Sequence, residues 1–373
     1  MDSLSRMRRI ASALRVSFLL IVALLLTAVF PEFPLGPPGG GAQAVRLMDQ
    51  PAQGAAAFRD AGIVDAKGTG TSSSAASALS PLPKRQQDMT VPESLKDFVR
   101  KAVDKLAGEA PFKEWKTAEQ TIGPLGPGTH SWLVNFFSGD QRIGYMIITA
   151  SDNGEYTLSE YGAGTDESLP YSVSELRRFL AQKGLIHSSD NIIEPIPLYA
   201  PLLPYWKITL NGQTLYLNAI VPEILPWDKS KAEAVAGRAQ SARPYGLLSS
   251  ALPDSTAKPI FRSGQAGDPY DNLLWLTSPK LARLTAGEFA RLLHREQGLV
   301  FRSGAGENDT VFAPLMISGY QLWTRPDATG SSPIAYAASG MGGQRFLPLD
   351  ALQQSGQFQV YVTGDGQPES LNR

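Results

Sequence analysis

The sequence predicts an α+β fold on three observations. A few short segments carry apolar residues at helical spacing between capping signals, many short runs alternate polar and apolar residues, and turn dipeptides separate those runs. Ahead of this body the chain predicts a membrane helix and a disordered spacer. Two helix-on-antiparallel-sheet units are expected to follow, at 89–227 and 271–373, joined by a linker at 228–270.

The start is basic and then apolar. Residues 1–9 read as a cytoplasmic tail, with Arg6, Arg8 and Arg9, and 10–30 as a signal anchor or signal peptide ended by Pro31. The run from Val16 to Phe30 alone has signal-peptide length. Counting back to Ile10 adds a single charge, Arg15, whose head can snorkel, and makes an adequate anchor. The small-x-small site Ala42-Gln43-Ala44 lies well beyond Phe30, which favours the uncleaved form. The expected location is the cell membrane, single-pass, with the body extracytoplasmic, or secreted if the signal is cleaved. From 31 to 88 Pro, Gly, Ala and Ser dominate and offer little to bury, so this stretch reads as a flexible spacer.

In the body, Thr90 is expected to cap a helix with Leu95, Phe98, Val99, Ala102 and Leu106 on one stripe and Gly108 as its stop. The runs 131–137, 142–150 and 155–161 read as a meander. Ser172 and Glu175 form a capping box for a second helix, closed by Gly184. YWKITL and QTLYLNAI flank Asn211-Gly212, a strong hairpin signal because both residues tolerate positive φ. A short Lys/Ala/Glu helix is expected in the linker. The second unit is expected to hold a strand NLLWL, a helix capped by Thr285 with Glu288, and strands in VFAPLMISGYQLW, SPIAYAAS and QFQVYV.

Composition excludes several classes. A 43% hydrophobic share supports real cores, while 34 basic against 35 acidic residues leave a net charge of −1 and no field for nucleic acid. With Cys 0 there are no disulfides, thiolate nucleophiles or cysteine-ligated metals. Three histidines, His130, His187 and His294, are scattered; the first two have no ligand-type neighbour at short spacing, and His294, flanked by Arg291 and Arg295, is expected to face solvent or the rim of a core. No metal site or cofactor is expected.

The pair YWKITLNGQTLYLNAIVPEIL, with Trp206, Ile208, Leu210, Tyr216, Leu217 and Ala219, resembles the PepSY and cystatin-like propeptide modules of secreted bacterial proteins. Asn218 stands where that pattern has Asp, and Pro222-Glu223 where it has Gly-Glu. The resemblance implies a helix-on-sheet module that binds or restrains a partner. In the second unit, FAPLMISGYQLW resembles a strand of papain-like peptidases of the bacteriocin-processing type. Neither the histidine nor the cysteine of that chemistry is present, so this resemblance implies an inactive descendant.

Glu155, Glu160, Asp166 and Glu167 cluster in sequence, where paired carboxylates can share acid/base work, but solvated strand carboxylates explain them better. The glycine-rich SGMGGQR lacks the context of a phosphate cradle and reads as a turn. The candidate binding loop is Tyr161, Gly162 and Gly164, where glycines allow close backbone approach. No catalytic residue is assigned. The expected function is an extracytoplasmic binding or regulatory protein of the bacterial cell envelope, with the membrane as one partner and a protein or peptide as another. The alternative is an inactive relative of a secreted cysteine-peptidase precursor.

Overall fold

A computed structural model describes residues 91–126, 130–186, 194–241, 245–264, 267–303, 314–325, 332–340 and 344–362. The chain divides into Met1–Ala75 and a compact unit Ala76–Arg373. The expected anchor at 10–30 and the whole of the expected spacer at 31–88 lie outside the described residues. Among the described residues, no helix is long and apolar enough to cross a membrane.

The body is α+β with antiparallel sheets. Helix α1 (Glu93–Leu106) buries Leu95, Phe98, Val99, Ala102, Val103 and Leu106, as its apolar stripe requires. Its N-cap is Pro92, without a side-chain cap, and Thr90 lies outside the described residues. A 3-10 helix (Ala110–Lys116) then turns Phe112 and Trp115 inward. Four strands follow as a meander: β1 (Glu119–Pro124), β2 (Ser131–Ser138), β3 (Gln141–Ala150) and β4 (Tyr156–Ala163). Helix α2 (Val173–Gln182) is capped by Ser172, which accepts from the Glu175 amide, while the Glu175 carboxylate pairs with Arg178 instead of closing a capping box.

A small sheet comes next, of β5 (Ile196–Ala200), β6 (Leu203–Leu210), β7 (Gln213–Asn218) and β8 (Glu223–Ile224), in that order. The β6–β7 hairpin turns on Asn211 and Gly212 at φ 50° and 79°, as this dipeptide dictates. Helix α3 (Lys229–Ser241) and three short strands, β9 (Leu247–Leu248), β10 (Thr256–Ala257) and β11 (Phe261–Arg262), occupy the expected linker. Strand β9 pairs with β4. Helix α4 (Ala286–Glu296) carries the expected capping box of Thr285 and Glu288. Strands β12 (Leu299–Ser303), β13 (Leu315–Thr324), β14 (Ile334–Ser339) and β15 (Arg345–Pro348) form a second meander, and α5 (Leu349–Ser355) leads into β16 (Gly356–Val360).

Both halves therefore run a helix and then a four-stranded meander, and their last strands pair. Strand β15 lies antiparallel to β4, with Arg345 opposite Gly162 and Phe346 opposite Tyr161. One continuous sheet results, β1-β2-β3-β4-β15-β14-β13-β12-β16, with β10 and β11 also paired to β13. The stretches read from sequence as separate units and a linker thus all contribute strands to this sheet.

Alternation assigns its faces. On one face, Met146, Ile148, Tyr161, Trp323, Tyr336 and Phe346 pack with α1 and the 3-10 helix in a single core spanning both halves. On the other, Leu133, Tyr145 and Ile147 pack with α2 and the small sheet, and Leu299, Ala335, Ala337 and Leu347 pack with α4 and α5. The segment NLLWL is not a strand. The Asn272 side chain accepts from the Leu274 amide and starts a 3-10 helix (Leu273–Thr277) with Trp275 inward.

Candidate functional site

On the second face, where the cores of the two halves meet beside the β4–β15 seam, polar side chains interrupt the apolar packing. Glu160 on β4 is fully buried and Arg345 on β15 nearly so. The Arg345 Nε donates to Glu160 Oε1 at 2.6 Å and an Nη to Oε2 at 2.9 Å, the bidentate geometry that suits a guanidinium and a carboxylate. The same Nη donates to the Leu202 carbonyl at 2.8 Å, and Tyr145 Oη donates to Glu160 Oε1 at 2.6 Å. Leu202 sits in the β5–β6 turn at φ 68°, and its amide reaches Tyr199 Oη at 3.4 Å. The network thus joins β3, β4, β15 and the small sheet.

Charge follows from these contacts. Burial disfavours the Arg345 cation, but Glu160 beside it outweighs that and holds the guanidinium above its usual value. Burial, reinforced by the Glu160 charge, pushes the Tyr145, Tyr171 and Tyr199 phenols far up, so they remain protonated.

A second cluster adjoins it at the start of α2. Arg142 on β3 donates to the Pro170 carbonyl at 2.8 Å and to Asp166 Oδ1 at 3.3 Å. Ser172 and Ser174 donate to Asp166 Oδ2 at 2.7 and 3.0 Å. The Arg142 Nε and one Nη are buried without an acceptor, and the guanidinium carbon stands 5.9 Å from the centre of the Tyr145 ring. Burial lowers the Arg142 pKa, and Asp166 offsets part of that.

These groups are committed to each other. Glu160 Oε1 accepts from both Arg345 and Tyr145 and Oε2 from Arg345, so three of the roughly four lone-pair sites of this buried carboxylate are taken up by the protein's own groups. The other acidic residues are dispersed: Glu155 accepts from the Ser250 amide at 3.2 Å, and Glu167 is exposed.

The expected binding loop takes another form. Tyr161 and Gly162 lie inside β4, which runs on to Ala163 because β3 and β15 pair with it from both sides, and Gly164 follows directly. Tyr161 is fully buried, stacks on Phe346 at 5.0 Å and donates to Gln321 at 2.7 Å. A Cβ at Gly162 would meet the Gln344 carbonyl at 2.6 Å and the Tyr145 ring at 2.7 Å, so the close backbone approach is to the protein's own strand. His294 bonds Tyr320 Oη at 2.8 Å and packs on Phe261, while His187 lies outside the described residues.

Sequence reasoning did not single out Arg345, Arg142 or Tyr199, and it noted Tyr145 only as one of the aromatics spaced along strands. The available signal was a charged residue within an apolar run, Arg345 in RFLPL and Glu160 in YTLSEYG, where alternation points a side chain inward. Among the described residues, no group of three or more His, Cys, Asp or Glu could hold a metal ion. No protein-family model, curated protein or solved structure matches this chain.

Proposed function

We propose that the chain is a membrane-tethered protein of the bacterial cell envelope whose extracytoplasmic body binds a partner and carries out no reaction of its own. The observation that carries this reading is that Glu160, Asp166 and Glu155, three of the four acidic residues that cluster in sequence, accept hydrogen bonds from the protein's own groups. The basic tail and apolar run at the start of the sequence support the tether.

Two experiments test the reading. Alkaline phosphatase folds only outside the cytoplasm; fused after the last residue, it is expected to be active, and an inactive fusion beside an active cytoplasmic reporter overturns the topology. The body used as bait on envelope extract is expected to retain a specific protein or peptide. Repeated capture of nothing above background overturns the binding role.

A further inference from the structure

We propose that the exposed apolar turn at 270–276 is a bilayer-contact site that seats in the interface of a zwitterionic membrane, an inference that rests on the tethered reading above. Leu273, Leu274 and Leu276 are 52%, 51% and 48% exposed and Tyr270 60%, whereas Trp275 between them is 2% exposed. Four neighbouring apolar side chains held in water call for an explanation that a single exposed leucine does not.

The turn is held from below. Trp275 Nε1 donates to the Pro269 carbonyl at 2.8 Å, and its ring packs with Val300 and Met316. Gln359 on β16 donates to the carbonyls of Trp275 at 3.0 Å and Ser278 at 2.8 Å, and Asn272 donates to the Val362 carbonyl at 2.7 Å. The leucines are thus presented without ordering a loop at the moment of contact, which lowers the entropic cost of insertion.

The size of the patch selects the occupant. Stable protein interfaces enlist roughly 20–30 residues a side, so four side chains on a turn do not by themselves hold a second copy or another protein. A bilayer sets no such minimum. Tethering raises its effective concentration, so weak insertion suffices. Charge narrows the choice of lipid. Asp268 and Asp271 flank the turn on one side and Lys280 on the other, all exposed, so the flanks carry no net positive charge to attract anionic headgroups. Tyr270 has the amphipathic ring that favours the headgroup level.

The absence of cysteine allows one dye at a chosen position. The full chain carrying Leu274→Cys, labelled with an environment-sensitive fluorophore, is reconstituted into phosphatidylcholine vesicles, with Val221→Cys as a control because Val221 is 64% exposed elsewhere on the body. The expected result is a blue shift at position 274, quenched by nitroxide-labelled lipid, little changed by added phosphatidylglycerol or salt, and absent at 221. Leu273→Ser with Leu276→Ser should reduce lipid quenching at 274 at least tenfold. Because Leu274→Cys removes one of the leucines, labels at Tyr270→Cys and at Ser278→Cys repeat the measurement with all three in place.

A chain that floats with the vesicles while these positions stay aqueous overturns the contact site and leaves the tether standing. A chain that does not float overturns both. A shift that follows protein-to-lipid ratio and resists nitroxide lipid overturns the lipid assignment in favour of a second copy. Binding that requires phosphatidylglycerol overturns the zwitterionic preference.

Discussion

Glu160 and Arg345 are most informative when separated. Replacing Glu160 by Gln leaves a buried guanidinium without its counter-charge, and the loss of a buried partner costs about 3–5 kcal/mol. Urea denaturation of Glu160→Gln should show that loss, and Glu160→Leu with Arg345→Met should recover most of it, because no charge is then stranded. Equal destabilisation by both variants would contradict this account. Gly162→Ala is the companion test. The added methyl collides with the Gln344 carbonyl and the Tyr145 ring, so a loss of about 1–3 kcal/mol is expected, where a solvent-exposed binding loop would lose almost nothing. What was legible here was limited. The glycines and Tyr161 stood out as a place of close backbone approach, but what approaches is β15, nearly two hundred residues away in sequence, and no local pattern reports on such a pairing.

Among the elements, those built on local signals were the readable ones. The Asn211-Gly212 hairpin, the Ser172 and Thr285 caps and the stripe of α1 depend on neighbours a few residues away. The 3-10 helix at 110–116, β1, β12 and β15 are short and draw their stability from pairing or burial at a distance, so periodicity did not reveal them. NLLWL shows the converse. Its composition suits a strand, but the Asn272 turn and the inward pull of Trp275 override propensity. A prediction belongs to α4. Thr285 and Glu288 satisfy its first amides reciprocally, and the hydrogen bonds from the Thr285 backbone and side chain hold the Glu288 carboxyl below its usual range. Thr285→Ala should cost about 1 kcal/mol at neutral pH. Because the Glu288 pKa is depressed in the fold, its share is present above the unfolded value and is lost as pH falls through the folded one. The gap between Thr285→Ala and the parent should therefore narrow in acid, measured by thermal melts across pH 3–7.

For the molecule as a whole, the shared core makes one cooperative unit of both halves. Residues of α1 and of β13, β14 and β15 pack in the same cluster, so melting followed near Trp115 and near Trp323 should coincide, and two separated transitions would refute the common core. The alpha-plus-beta class and its antiparallel pairing were readable from alternation and caps. The continuity of the sheet was not, since the joining strand β15 has only four residues. Alkali provides a global test. Burial raises Tyr145, Tyr161, Tyr171, Tyr199 and Tyr336, and Tyr205 to about 12. The unfolded chain gives up these protons first, so their contribution is complete below about pH 10 and lost as pH rises, by about 1.4 kcal/mol per pH unit for each tyrosine that stays protonated. Tyrosinate absorbance should therefore lag that of free tyrosine and then rise together with loss of structure.

The two ends of the large sheet differ. At β16 the chain itself runs along the outer edge, with Lys280 bridged to Gln359 and the Leu281 amide bonded to the Phe358 carbonyl at 2.9 Å. At β1, among the described residues, no strand pairs beyond Glu119–Pro124. A margin that the chain partly covers with its own backbone is harder to extend than one where no strand is paired. If two chains met through β1, each would present its partly covered margin outward, which disfavours growth beyond a pair into a fibre.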